Sequence, residues 1–311
     1  MIDIFYFSKE VKKASAIAEA KDHIAWIDVS GINEKEAREL AEIYSLHPLT
    51  IEDMQKWDTR IKVEEFPEYL FCVFYAIKES KKSFALRELD FVVGKNFIIS
   101  SHQENGIWES LKKDHEKMKF LFEKGTDFFF HYLMDKEIDN FFPVIDLLNE
   151  QIEDIEENIV TKPHAKDLVK ILHLKKEFRK MKRIGFQQRE KISYLAKNDY
   201  HFLSHKSRPY FRDLYDHAIR VSDAIDNHRD AISEAFDAYM SSVNNNMNEV
   251  MKFLSVFATI ALPMTVISGI FGTNFDYLPF AHLKHGFFIM VGAMVVFSGS
   301  MIYMFRRKGW F

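Results

Sequence analysis

Gly272, Thr273 and Asn274 stand, small and uncharged, where two long runs without formal charge meet. An asparagine there offers a neutral carbonyl oxygen, which accepts hydrogen bonds and draws a cation without a formal charge of its own. Upstream, Asp237, Ser241, Asn244, Asn248, Met251, Ser255, Ala258, Leu262, Thr265 and Gly269 recur in steps of four and three, which sets them on one helical face. Small and polar residues aligned in this way form either a packing seam between helices or the wall of a water-filled axis. The polar end, Asp237 with the asparagine run 244–246, has no apolar partner to pack on, which favours a water-filled axis ringed by copies of one helix.

Other constellations carry less chemistry. His201 and His205 have helical i, i+4 spacing and His282 and His285 lie three apart; either spacing could hold zinc, but both pairs read first as surface residues. The basic run KKEFRKMKR (175–183) lacks the interleaved aromatics that stack on bases, so it reads as a charged helix face and nucleic acid is not expected as a partner. The acidic run EQIEDIEEN (150–158) reads as the solvated side of a helix. With no Gly-rich phosphate loop, no zinc-protease histidine pair and no nucleophile beside a base, neither an enzyme activity nor an organic cofactor is expected. Cys72, the single cysteine, sits in the apolar run LFCVFYAI and reads as core packing.

The elements that must position the triplet and the stripe follow from the same residues. FLSVFATIALPMTVISGIF (253–271) and GFFIMVGAMVVFSGSMIYMF (286–305) hold no Asp, Glu, Lys or Arg, and each is long enough to cross a bilayer, which takes about 20 apolar residues. The connection at 272–285 makes them a tight hairpin, and Lys252 before it with Arg306, Arg307 and Lys308 after it places both chain ends in the cytoplasm and the triplet outside. The N-terminal MIDIFYFSKEVKKAS lacks signal-peptide order, so the hairpin itself is expected to direct insertion. Leu214, Ala218, Val221, Ile225, His228, Ile232, Ala235 and Tyr239 form a heptad stripe, the mark of a helix packed along a neighbour as in a coiled coil. No breaker separates it from the first span, so one helix is expected from about 210 to 271, with Pro263 accommodated as a local kink. Residues 1–125 alternate five strand-like runs with helical ones and read as a cytoplasmic α/β domain. Residues 126–252 read as helical, broken at TKP (161–163) and KSRP (206–209), with a stalk helix over 209–252.

At this point the chain resembles a family, the CorA magnesium transporters. NEVMKFLSVFATIALPMTVISGIFGTNF resembles the family's first transmembrane helix with its Gly-Met-Asn signature, and RRKGWF its basic tail. HPLTIEDM (47–54), RIKVEEFPEYLF (60–71) and PYFRDLYDHAI (209–219) read like family segments too. The resemblance implies an α+β protein of the cell (inner) membrane that assembles as a homopentameric funnel, with the α/β domain, a long helical stalk and two transmembrane helices in each chain. It implies that Gly272, Thr273 and Asn274 form the outer selectivity ring, with Asp276 in the outer loop. The pore would be lined or gated by Asp237, Asn244, Asn248, Met251, Leu254, Ala258, Leu262, Thr265 and Gly269. It further implies cytoplasmic Mg2+ held between subunits by Asp53 and Asp213, together with Glu52 and Asp135, so that Mg2+ is both substrate and regulatory ligand.

Magnesium sheds its water reluctantly, so a fast pathway should accept the hydrated ion, and a ring of amide oxygens can hydrogen-bond that water shell. Gly269 and Gly272 are expected to allow close backbone approach and a left-handed helix stop. Two departures bear on the metal. Thr273 replaces the usual methionine, and Phe280 stands where a second acid is common, beside His282, Lys284 and His285. The main expectation is a Mg2+ channel closed by internal Mg2+. A zinc, cobalt or nickel transporter on the same scaffold is the alternative, and a membrane-anchored coiled-coil sensor is a third reading from another class.

Overall fold

The computed structural model describes residues 1–80, 83–103, 108–161, 163–274, 276, 278 and 283–310. One mixed sheet is built from β1 (Ile2–Phe7), β2 (Val11–Ala14), β3 (Ile24–Ser30), β4 (Lys62–Glu65), β5 (Tyr69–Ser80), β6 (Ser83–Gly94) and β7 (Phe97–His102). Its order is β2-β1-β3-β7-β6-β5-β4, with β3 and β7 parallel and the other neighbours antiparallel. Where five strand-like runs were expected, seven strands form among the described residues. The two extra strands, β2 (VKKA) and β4 (KVEE), are the two edges of the sheet. Charged edge strands resist pairing with other chains, and the same charges hide them from an apolar pattern.

The helices are α1 (Glu34–Tyr44), α2 (Pro48–Gln55), α3 (Glu109–Lys113), α4 (His115–Lys124), α5 (Thr126–Asp139), α6 (Phe141–Thr161), α7 (Ala165–Lys197), α8 (Arg208–Phe271) and α9 (Gly286–Arg307). On one face of the sheet Ile27, Phe71, Val73, Val92 and Ile99 join Leu40, Tyr44 and Met54 from α1 and α2 in a single apolar core. On the other face α5 brings Phe129 within 5.1 Å of the Trp26 ring and Phe130 within 5.3 Å of Phe91. Burial on both faces is why the central strands read as continuous apolar runs. Cys72 is fully buried there, and burial pushes its thiol well above the usual range.

Contacts divide the chain into a unit of residues 1–158 and 164–236 and a unit of residues 159–163 and 237–311. The division does not follow the change of composition near 125, because α5 packs on the sheet and its aromatic side chains complete the domain core. Within the first unit α7 and α8 run antiparallel: Arg189 meets Ser222, Lys182 meets Asp226, Phe178 meets His228 and Lys175 lies over Phe236. Leu214, Ala218, Val221, Ile225, Ile232 and Ala235 of the heptad stripe are buried, while His228 is half-buried with its ring beside Phe178.

The helix α8 is continuous over 64 residues, about 96 Å at 1.5 Å per residue. Pro209 near its start is already set to helical φ and needs no hydrogen-bond partner in the first turn. The chain enters α8 after a stretch of turns over 199–207, so α7 ends at Lys197, well before the KSRP break. In the second unit α9 packs against α8, with Ser298 Oγ 3.7 Å from Met264 Sδ and Lys252 Nζ donating to the Gly309 carbonyl at 3.1 Å. Gly309, at φ +70°, turns the chain back after α9, so that Trp310 N–H donates to Phe305 O and its ring lies 5.3 Å from that of Phe305.

Candidate functional site

In the second unit the stripe on α8 is open. Asp237, Ser241, Asn244, Asn248, Met251, Ser255, Leu262, Thr265 and Gly269 are exposed and Ala258 is half-buried. Leu254, at the margin of this face, is 56% exposed. The face that meets α9 lies elsewhere on the helix, marked by buried Val256 and by Lys252 and Met264. At 3.6 residues per turn the two faces are separated by a little under half a turn. A row of polar and small side chains is therefore left bare by the chain's own hairpin. Nothing lies within 4 Å of a side chain built on Gly269, so the backbone there is open to close approach. Thr265 Oγ1 donates to Ala261 O at 3.0 Å, which satisfies its proton within the helix and leaves its lone pairs facing out.

At the end of α8, Gly272 N–H donates to Ser268 O at 2.9 Å. Gly272 is not in the left-handed conformation expected for it, and no positive φ falls there; Gly31 and Gly309, at φ +63° and +70°, do have one. Space there is tight instead: a Cβ at 272 would lie 3.0 Å from Ser268 O, so a side chain would need that carbonyl to give by a few tenths of an ångström. Thr273 Oγ1 donates to Ile270 O at 2.7 Å, so its hydroxyl is engaged in capping a helix carbonyl. Asn274 is exposed, as is Asp276. The last carbonyls of a helix lack intrahelical partners and carry the negative end of its dipole, so Asn274 sits where a cation is favoured without a formal charge. Phe280 and His282 lie outside the described residues.

In the first unit the four carboxylates fall in two places. Asp53 and Glu52 are on α2, where Lys62 Nζ bonds Asp53 Oδ2 at 2.7 Å and Lys56 pairs with Glu52. That pairing holds the Glu52 carboxyl below its usual range. Asp213 on α8 is 67% exposed, with its Oδ2 3.9 Å from His217 Nε2. His217 Nδ1 lies 3.4 Å from Asp135 Oδ1 and 3.2 Å from Asp139 Oδ1. One oxygen or nitrogen each of Asp135, Asp139 and His217 lie within 4.8 Å of one another, a spacing that suits a divalent ion. Burial, and then the charge of Asp139, raises the Asp135 carboxyl above its usual range. Sequence reasoning missed Asp139 and His217. The signal available was the i, i+4 repeat, Asp135 with Asp139 on one helix and Asp213 with His217 on another, which only the packing of α5 beside α8 brings together.

His201 and His205 do not share a helical face, because 199–207 is a series of turns; the His201 N–H instead donates to Glu65 Oε1 at 2.7 Å. A buried Asp28, Ser100 and His102 group contains the residue types of a hydrolase but not its arrangement. Ser100 Oγ donates to Asp28 Oδ1 at 2.6 Å, His102 Nε2 meets the same oxygen at 2.9 Å and Lys112 bonds Asp28 Oδ2 at 2.7 Å. All three are at most 1% exposed. Burial opposes ionisation of Asp28, but His102 and Lys112 outweigh it and hold the carboxyl below its usual range.

An α/β domain whose last helix runs on into an apolar hairpin, with an open polar face along the first span, defines a two-span membrane protein of the α+β class. The family described as CorA-like Mg2+ transporter protein matches residues 21–307, and the chain belongs to it. Among similar proteins is the cobalt/magnesium transport protein CorA of Thermotoga maritima, 29% identical over 293 residues that cover 92% of this chain and 83% of that one. The complete structure of the CorA magnesium transporter from Methanocaldococcus jannaschii superposes with a TM-score of 0.87 at 21% identity, covering 100% of this chain and 99% of that one. The ZntB cytoplasmic domain from Vibrio parahaemolyticus superposes with a TM-score of 0.63 at 13% identity over 78% of this chain and 98% of that one. That likeness is one of fold.

Proposed function

We propose that the chain carries hydrated Mg2+ into the cytoplasm through a homopentamer in which α8 of each copy faces a common axis. The observation that carries the reading is the bare stripe from Asp237 to Gly269, which the chain's own α9 leaves uncovered. Leu262, bulkier than Ala258 on one side of it along the stripe and Thr265 on the other, supplies an apolar constriction of the kind that gates by dewetting. Asn274 presents its amide to the hydrated ion, Gly272 lets the chain turn close to the helix end, and both chain ends lie in the cytoplasm. The membrane potential supplies the drive, about 2.3 kcal/mol per elementary charge per 100 mV.

Regulation belongs to the carboxylates of the first unit. Asp53 and Glu52 on α2 of one copy face Asp213 and Asp135 of the next, Mg2+ between them holds the ring closed, and its loss lets the acids repel. The exposure of Asp213 supports this, and so does the engagement of Asp53 with Lys62 rather than with Asp213 within the chain.

Uptake into proteoliposomes tests the transport reading, with Mg2+, Co2+, Ni2+ and Zn2+ compared with and without a proton gradient. Mg2+ influx driven by an inside-negative potential alone is expected. Zn2+ uptake that needs the proton gradient would move the assignment to the zinc alternative, and absence of flux for every metal would leave a membrane-anchored coiled-coil protein.

A further inference from the structure

Beside Lys252 and Arg306, an open groove of about 590 Å³ lies between α8 and α9. Its lining is Phe253, Val256, Phe257, Ile260, Ile302 and Arg306, five apolar side chains and one guanidinium. The lining is accessible: Phe253 is 67% exposed, Phe257 64% and Ile302 49%. Among the described residues Arg306 has no ion-pair partner; the nearest acids along the two helices are Glu249, which lines a separate trough, and Asp276 in the connection between the spans. Lys252 is already engaged, donating to Gly309 O and lying over the Trp310 ring. The groove thus presents one apolar trough and, among the described residues, one unpaired cation at its rim.

The groove lies about half a turn of α8 away from the polar stripe. If the stripe faces a common axis, the groove faces the bilayer. A neighbouring trough on α8 shares Phe253 but is lined by Glu249 and Asn246, so an anionic group would be repelled there and drawn to the Arg306 side.

We propose that this groove binds one acyl chain of an anionic phospholipid, with the headgroup phosphate held by the Arg306 guanidinium. The chemistry is complementary at both ends. Apolar surface removed from water or from loose packing favours the chain, and a planar guanidinium can fork two phosphate oxygens. Basic positions between membrane helices are a recurrent place for such headgroups. The bound lipid would brace the hairpin at the end where α9 and the returning tail meet α8. Its placement facing lipid rests on the pore reading; the site itself rests only on the two helices.

Native mass spectrometry of the purified full chain in detergent tests it, with phosphatidylglycerol and phosphatidylcholine of equal chain length offered in competition. Preferential retention of phosphatidylglycerol is expected, falling about fivefold in Arg306→Gln, the weight of one basic contact near a membrane surface. Arg307→Gln, which removes a charge that does not line the groove, should leave retention unchanged. Ile302→Trp fills the trough while keeping Arg306 and should also lose the lipid; soluble glycerol phosphate, a headgroup without chains, should not compete. Equal retention of the two lipids, or retention unmoved by both Arg306→Gln and Ile302→Trp, overturns the proposal, as does a neighbouring copy cross-linked through Phe257→Cys in the same sample. Metal uptake is read in parallel in vesicles of phosphatidylcholine alone. Flux there with no selective lipid retention fails the lipid site only, and lipid retention without flux in any vesicle fails only the pore reading.

Discussion

Asn274 is the residue on which the transport reading turns, because it places a neutral oxygen at the end of α8, with Asp276 the nearest charged residue along the chain. Asn274→Ala should remove Mg2+ uptake in proteoliposomes while leaving expression and assembly intact; an inert anchor would not notice the change. Thr273 was legible as a departure from the family signature, but its role was not. Its hydroxyl is engaged by Ile270 O, so Thr273→Met is expected to change the choice among metals less than Asn274→Ala changes their flux. Glu137 was invisible to sequence reasoning. It is buried on α5, and burial raises its carboxyl to about 7 against a hydrogen bond from Asn140. Below pH 4.5 the group is protonated whether the chain is folded or not. Between 4.5 and about 7 the unfolded chain ionises while the folded chain keeps its proton, so stability falls as pH rises through that window. The cost at pH 8 is about 3 kcal/mol. Glu137→Gln should remove most of this pH dependence in thermal melts taken from pH 5 to 8; a slope as steep as the parent's would assign the loss elsewhere.

At the scale of elements, the long helix and the hairpin were readable because their signals are local. A charge-free run of bilayer length needs no knowledge of its neighbours, and neither does a heptad. Edge strands β2 and β4 were not readable, since a strand with Lys and Glu on it is defined by its partner and not by its own pattern. The stop after α8 differs from the left-handed glycine expected for a similar reason: what crowds position 272 is the nearness of Ser268 O, a distance that no residue type announces. The left-handed glycine lies at the other end of the hairpin, at Gly309. Gly309→Ala should cost about 1 kcal/mol and free Trp310 from Phe305, seen as a red shift in tryptophan emission. On α8 itself, Leu262→Ser should wet the constriction and raise basal Mg2+ leak at zero internal metal; a leak no greater than the parent's would place the gate on another turn.

For the whole molecule, the pentamer proposed above would cover both the bare stripe and the exposed Asp213 with further copies of the chain. Native mass spectrometry should return a pentamer, and Asp213→Ala should leave flux that millimolar internal Mg2+ no longer suppresses. Asp139→Asn or His217→Ala should weaken that inhibition less, if Asp135, Asp139 and His217 only support the site from within one chain. Local pattern alone was enough for the central strands, the long helices, the two spans, the polar stripe and the neutral amide at its end, because hydrophobic period and side-chain chemistry are properties of neighbours along the chain. Tertiary structure decided which acids stand together, which face of α8 its own hairpin leaves bare, and where a lone arginine meets an apolar groove. Those depend on distances between residues far apart in the chain, and such distances arise only when α5 packs against α8 and α9 against its last turns.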